Sequence, residues 1–263
     1  MLSKIGTQYD PATGKGTLGK NYCYQITPAG TGFFDEDMNV FQGAGALGMS
    51  IDDFSADNFD HTNLNFIHGG MITMLQAGKR PIENNPVPKG TPGWGADFKQ
   101  AVLHNYNKTS GVSAQGASMP FRYNYLDLDP TYKDAYGLPL LRMTYNFTEQ
   151  DKNLFDYIST KVEGILKEMG AKSISMKPWS KDYSVVPYQT THNTGGTIMG
   201  ADPETSVVNP YLQHWDAENL FVVGAGNFTH NAASNPTGTV GDLIYRACEG
   251  IDKYLSKGSG LLV

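Results

Sequence analysis

Helical periodicity is confined to two segments of this 263-residue chain, and that confinement limits the folds that the chain can adopt. Between Thr148 and Gly170, apolar residues recur every three or four positions behind a threonine cap. The same spacing returns from about Gly238 to Leu255. The remainder holds most of the 30 glycines and all 14 prolines, which favour short strands joined by turns and long loops. We therefore expect an α+β fold with an antiparallel sheet and helices on one face.

The apolar positions of both segments predict the helix faces that pack into the core. These positions are Leu154, Ile158, Val162, Ile165 and Met169 in the first helix, and Val240, Leu243, Ile244, Ala247, Ile251 and Leu255 in the second. Between the helices, residues 172–176 alternate polar and apolar as a strand does. The run Asn-Leu-Phe-Val-Val at 219–223 is almost wholly apolar and ends at a glycine, which is typical of a buried, parallel strand.

Composition and charge exclude several classes of protein. Hydrophobic residues make up 40% and charged residues 17%, which excludes a disordered chain and a coiled coil. The net charge is -6 and no run of Lys and Arg exceeds a pair, so no nucleic-acid partner is predicted. The longest strongly apolar stretch is far below the roughly 20 residues needed to cross a bilayer. Cys23 and Cys248 have no CxxC partner and are predicted to be separate, packed thiols.

A glycine-rich segment at residues 43–48, Gly-Ala-Gly-Ala-Leu-Gly, matches the G-x-G-x-x-G spacing of a dinucleotide-binding turn. Such a turn needs a strand before it and a helix after it, so that a pyrophosphate can rest on the helix N-terminus. Here residues 35–39 are acidic and polar, and the residues that follow have no helical period. We interpret the segment as a tight glycine turn.

A second constellation lies in the C-terminal part of the chain and combines several rare features in one order. They are His192 before Gly195-Gly196, Met199-Gly200, Asp202-Pro203, Ser206-Val207-Val208, the run 219–223 and Asn235-Pro236-Thr237. In this order they resemble the C-terminal signature of the glucose-methanol-choline (GMC) family of FAD-dependent oxidoreductases. Upstream, residues 43–48, 52–54, 57–61, 122–134 and 139–144 are similar to the flavoprotein subunit of sugar-acid dehydrogenases in that family.

The resemblance covers nearly the whole chain but not the whole family. Nothing in the chain matches the βαβ dinucleotide fold with which family members begin, so the resemblance implies the C-terminal half of such a flavoprotein. It divides the chain into residues 1–19 as a remnant of the FAD domain, residues 20–187 as a substrate domain with the antiparallel sheet, and residues 188–263 as the C-terminal strand and helix of an FAD-binding α/β domain.

The resemblance also implies two catalytic residues. An alcohol that gives up a hydride to a flavin must also lose its hydroxyl proton, so a base must face the flavin ring. By resemblance, His192 takes that proton and Asn235 holds the substrate oxygen. Without the surrounding motif, His192 beside a glycine-rich turn would be interpreted as a structural histidine.

Five further residues are implied to bind the cofactor FAD. Gly224 and Ala225 follow the apolar run and would let the backbone approach the flavin or its ribityl chain closely. Pro236, Thr237 and Gly238 stand at the start of the last helix, where free N–H groups and the helix dipole could stabilise negative charge on the reduced flavin. A threonine cap explains the same residues, and both interpretations can hold.

Other residues carry weaker functional signals. His61 and His68 lie seven apart among asparagines, which is no recognised metal pattern, and no metal ligand is predicted. Tyr123, Tyr125 and Arg142 would suit a sugar or polyol pocket, and packing explains each of them at least as well.

By resemblance, the intact enzyme oxidises a sugar acid, polyol or sugar at FAD and passes electrons to a cytochrome c subunit, with a small partner subunit. A periplasmic location, with membrane contact only through partners, follows from the resemblance alone. Two alternatives stay open. The chain could be a non-catalytic fragment that binds no FAD, or, given its 15 tyrosines, 12 phenylalanines and 3 tryptophans, a carbohydrate-binding module.

Overall fold

A computed structural model describes residues 1–43, 47–75, 87–184, 186 and 192–262. Residues 44–46 of the glycine-rich segment 43–48 therefore lie outside the described residues. The strands are β1 Cys23–Tyr24, β2 Ala29–Phe33, β3 Leu47–Ile51, β4 Gly70–Leu75, β5 Thr109–Gly116, β6 Tyr125–Lys133, β7 Pro139–Thr144, β8 Ser173–Met176, β9 Asn193–Thr194, β10 Gln213–His214 and β11 Ala217–Phe221. The α-helices are α1 Ala96–Asn105, α2 Glu149–Glu168 and α3 Thr237–Lys257.

The chain forms two compact units. The first comprises Met1–Gln25, Ser118–Thr148 and Asp182–Val263, and the second comprises Ile26–Ala117 and Glu149–Lys181. Both are built from helices and antiparallel strand pairs, which confirms the α+β class. The assignment of a substrate domain and an FAD domain along the chain stays a prediction.

The second unit is a five-stranded antiparallel sheet with α2 on it. The strand order is β3-β4-β5-β2-β8. The helix approaches the strands closely because β2 carries glycines, and a Cβ placed at Gly30 would lie 2.9 Å from Leu166 Cδ1. The predicted helix, its end at Gly170 with φ +88°, and the strand after it are all confirmed.

The core face of α2 follows the prediction as far as Val162 and departs from it afterwards, where Met169 lies beyond the helix and is only half-buried. Leu154, Ile158 and Val162 have no exposed surface, as predicted, but the next fully buried residue is Leu166. Ile165, which the spacing favours, is only half-buried. The strand glycines explain the difference, since they leave room for a leucine at 166 directly over β2.

One helix was not predicted. Residues 46–130 were expected to hold strands and loops, yet α1 runs from Ala96 to Asn105. The sequence of α1 has no strong apolar stripe, and this is why the helix was not predicted. Among its residues, Asn105 is the one that is buried.

The first unit contains the β6–β7 hairpin, the pairs β1–β9 and β10–β11, and α3. The prediction of a buried, parallel strand at 219–223 is wrong: β11 pairs antiparallel with β10, and residues 218–220 are exposed. A two-stranded ribbon buries a strand on neither side unless another layer covers it.

The prediction for the face of α3 is also largely wrong. Of its stripe only Ala247 is buried; Val240 and Leu243 are half-buried, and Ile244, Ile251 and Leu255 are exposed. The helix instead packs through small residues, since a Cβ at Gly250 would lie 2.9 Å from Tyr211 Cβ. The core it reaches consists of Leu18, Val207, Val208, Leu212 and Ala247.

Three further expectations concern single side chains and spans. Cys23 is buried as predicted, whereas Cys248 is exposed, and both are free thiols. Within the described residues, no helix is long and apolar enough to cross a membrane. In the same part of the chain, no three His, Cys, Asp or Glu side chains come together as a metal site.

The register of α2 can be tested by paired truncations. We expect Leu166→Ala to lower the free energy of unfolding by about 2–5 kcal/mol, because it empties a filled core position. Ile165→Ala, the matched control, should cost about 1 kcal/mol, because half of that side chain is already in water. Urea unfolding monitored by circular dichroism measures both. An Ile165→Ala loss equal to or larger than that of Leu166→Ala would contradict this register.

Candidate active site

The candidate site is built around His192, where three segments of the first unit meet. Strand β1 pairs with β9, so that Cys23 lies opposite Thr194 and Tyr24 opposite Asn193. Gln25 directly follows β1 and donates its backbone N–H to the carbonyl of His192 at 3.3 Å. Backbone pairing therefore places Gln25 beside His192, although 167 positions separate them.

The side chain of Gln25 links His192 to a third segment. Gln25 has no exposed surface. Its Oε1 lies 2.5 Å from His192 Nδ1, and its Nε2 donates to the carbonyls of Ala232 at 2.7 Å and Ser234 at 3.2 Å. We call Gln25, His192, Asn231 and the carbonyls of Ala232 and Ser234 the His192 network.

Asn231 holds the backbone of His192 from the other side. Its Nδ2 donates to the His192 carbonyl, and Asn231 is itself fully buried. An isolated antiparallel bridge fixes Asn231 in turn, because Ser118 and Asn231 exchange both backbone hydrogen bonds at 2.9 Å. The Ser118 hydroxyl donates to the carbonyl of Tyr24 at 2.8 Å, so the bridge is also joined to β1.

Asn235 lies at the edge of the His192 network. It directly follows Ser234, whose carbonyl accepts from Gln25, and it lines a pocket of about 200 Å³ together with Asn231, Pro236 and Thr239. The structure thus brings His192 and the chain at Asn235 to the same network. The connection runs through Gln25, which joins both segments.

The predicted cofactor-binding residues fall into two groups. Gly224 and Ala225 enter a short 3-10 turn whose carbonyls at Ala225 and Gly226 accept from the backbone N–H groups of Gly195 and Thr197. Gly224 has φ +137°, a conformation that favours glycine. The turn therefore lies beside the segment that follows His192.

The second group is the N-terminus of α3. Pro236 occupies the cap position, where its side chain makes no capping hydrogen bond, and Thr237, Gly238 and Thr239 are exposed. The first N–H groups of a helix have no partner within it and carry the positive end of its dipole. This end of α3 can therefore take up a negative group, and the threonine cap that the sequence also allowed is not formed.

Comparison with known proteins shows what these segments are part of. A sequence model described as GMC oxidoreductase matches residues 120–241. Over its whole length the chain is 43% identical to the gluconate 2-dehydrogenase flavoprotein of Pantoea cypripedii and spans 43% of that protein. Residues 120–241 carry the C-terminal domain of the GMC oxidoreductases.

Two other proteins extend the comparison. The fructose dehydrogenase large subunit of Gluconobacter japonicus is 34% identical over 56% of the chain and 25% of that relative. Formate oxidase of Aspergillus oryzae superposes with a TM-score of 0.58 at 12% identity, over 91% of this chain and 48% of that one. The structural likeness shows a shared fold. The chain spans less than half the length of each of these proteins.

Two of the residues with weaker signals, Arg142 and Tyr125, have structural partners. The guanidinium of Arg142 forms a two-point ion pair with Asp127, which faces it across the β6–β7 hairpin, and this pair raises the pKa of Arg142. The ring of Tyr125 meets that of Tyr9 edge-on at 6.2 Å. Tyr123 is exposed. The ion pair thus accounts for Arg142, and ring packing accounts for Tyr125.

Sequence reasoning missed Gln25, Asn231 and Ser118. Gln25 alone carried a signal, because it stands in the aromatic and apolar run Tyr-Cys-Tyr-Gln-Ile at 22–26, where a polar residue must find partners if it is buried. Ser118 stands among small and apolar residues and Asn231 between a histidine and two alanines, and neither setting forms a run that predicts burial.

Burial lowers the pKa of His192 below its ordinary value of 6.5, because the protonated ring is poorly solvated there. We expect His192 to be neutral at pH 7. The folded protein then binds a proton less readily than the unfolded one, so this residue's contribution to stability is full above pH 6.5 and is lost as pH falls.

Titration of the His192 Cε1 proton by NMR, assigned with His192→Gln, measures this pKa. A midpoint at or above 6.5 would contradict the expected direction.

Proposed function

We propose that the protein containing this chain oxidises an alcohol group of a sugar acid, polyol or sugar by hydride transfer to FAD. The observation that carries the proposal is the His192 network, which holds a neutral histidine in one orientation next to the segment leading into the uncapped end of α3. The gluconate and fructose dehydrogenase relatives support the substrate class.

The residues present fit FAD at two places. The exposed, uncapped N–H groups of Thr237 and Gly238 suit an electron-rich ring that becomes negative on reduction. At Gly224 and Gly238, no described residue other than the adjacent residues and the backbone of the same helix places an atom within 4 Å of where a Cβ would stand, so both backbones are open to close approach. We assign Gly224, Ala225, Pro236, Thr237 and Gly238 to hold FAD, which when bound supplies the acceptor for the hydride.

His192 and Asn235 act on the substrate in this proposal. As the carbon loses hydride, its hydroxyl becomes more acidic, and His192 accepts the proton from the hydroxyl oxygen. The Asn235 amide donates to the same oxygen and stabilises the charge that develops on it. A neutral histidine is ready for this role, since a protonated ring could not accept.

The rest of the active protein lies outside this chain in our proposal, because the chain spans only 43% of the gluconate 2-dehydrogenase relative. The fructose dehydrogenase relative is a large subunit, which supports a multi-subunit enzyme. We propose a cytochrome c subunit as electron acceptor, a small partner subunit, and a periplasmic location with membrane contact through these partners.

Absorption spectroscopy tests cofactor binding. The purified chain is mixed with FAD, with and without the part of the Pantoea cypripedii relative that precedes the matched region. We expect flavin bands to remain after gel filtration of the complemented sample and to bleach when gluconate is added without oxygen. Retained bands in neither sample, or bands that a sugar acid (gluconate), a polyol (sorbitol) and a sugar (fructose) all leave unchanged, would contradict the proposal.

Substitution of His192 tests the site in the FAD-loaded, complemented sample. We expect His192→Ala to slow flavin reduction by about 100-fold to 10,000-fold, because the proton acceptor is lost. His104→Ala, an exposed histidine on α1 of the second unit, is the matched control and should keep the original rate. Stopped-flow absorbance measures both rates, and equal rates for the two variants would remove His192 from its role.

A further inference from the structure

The direction of the Gln25 side-chain amide is decided by its neighbours. Its Nε2 faces the carbonyl oxygens of Ala232 and Ser234. Carbonyl oxygens accept hydrogen bonds and cannot donate them, so only the NH₂ group can face this pair. The opposite orientation would put Oε1 against two acceptors and leave this buried oxygen without a donor. The amide oxygen therefore points at His192.

This direction determines which ring nitrogen of His192 carries the proton. An amide oxygen is an acceptor only, so the 2.5 Å contact from Nδ1 to Gln25 Oε1 requires a hydrogen on Nδ1. In a neutral imidazole the other nitrogen, Nε2, then holds the lone pair.

We propose that Gln25 is a positioning residue that sets the tautomer of His192, so that Nε2 is the atom that accepts the substrate's hydroxyl proton. The inference rests on the proposed function for the proton transfer, but the tautomer follows from the His192 network alone. Gln25 acts through His192 and does not itself touch the substrate.

The choice of a glutamine has a chemical consequence. A carboxylate at this position would favour a second proton on the ring and turn the base into its conjugate acid. A neutral amide orients Nδ1–H without adding charge. The resting histidine therefore keeps its accepting nitrogen.

Nitrogen NMR of the chain tests the tautomer without any flavin. The protein is labelled with ¹⁵N-histidine, and His192→Gln identifies the His192 signals among the six histidines. At pH above the His192 transition we expect a protonated, pyrrole-type Nδ1 and an unprotonated, pyridine-type Nε2. The reverse pattern in the unmodified chain overturns the proposal, whether or not any variant folds.

Gln25→Met removes both the donor and the acceptor while keeping the length of the side chain. We expect the folded variant to populate both tautomers of His192 and, in the FAD-loaded sample, to reduce flavin about 10-fold to 100-fold more slowly. An unchanged Nδ1–H tautomer in this variant overturns the positioning role.

Gln213→Met is the matched control, because Gln213 is an equally buried glutamine of the same unit. Its amide is bound to Glu218, Gly260, Leu262 and Asn209. We expect a loss of stability similar to that of Gln25→Met, with the His192 tautomer unchanged. A tautomer change in Gln213→Met equal to that in Gln25→Met would mean that the effect is general loosening, and it would overturn the proposal.

The two proposals fail in different ways. If His192 shows Nδ1–H and Gln25→Met disturbs it, but His192→Ala reduces flavin at the original rate, the proposed function fails and the tautomer assignment stands. If His192→Ala is slow but Gln25→Met is as fast as the unmodified protein, the proposed function stands and the positioning role fails.

Discussion

One buried amide holds the candidate site together. Gln25 has no exposed surface, and its two polar atoms are satisfied by a histidine ring and two backbone carbonyls from segments far apart in the chain. A buried polar group left without partners costs about 1–3 kcal/mol, so the segments cannot separate without a penalty. The orientation of the side chains around His192 is therefore set by hydrogen bonds, because apolar packing is not directional.

The second unit relies on a different constraint. There α2 lies against a sheet whose glycines let Leu166 reach the strand backbone. Burial of apolar surface is the main interaction that stabilises this packing. Such packing is tolerant of which apolar residue fills a position and is insensitive to direction. Hydrogen bonds are directional, and this suits the first unit, where one ring nitrogen must be distinguished from the other.

Prediction succeeded where the signal was local and failed where it needed partners. The cap, spacing and terminal glycine of α2 are contained in about twenty consecutive residues, and they predicted this helix correctly. The run 219–223 is apolar enough for a buried strand, yet in this chain β11 lies in a two-stranded ribbon and is exposed. The prediction of the buried face of α3 was wrong for the same reason, because apolar spacing identifies a face of a helix but not the element that covers it. The weakly amphipathic α1 offered no stripe at all.

The sequence by itself determined the family, the α+β class, the long helix α2 and the choice of His192 and Asn235 as candidates, because each depends on residue types in a fixed order. Only the tertiary structure decided that Gln25 and Asn231 hold His192, and which nitrogen of His192 carries its proton. These contacts join residues 39 and 167 positions apart, and the tautomer depends on the direction of the Gln25 amide. Neither a hydrogen bond's partner nor its direction is written in local sequence, since both are set by the groups that folding brings together.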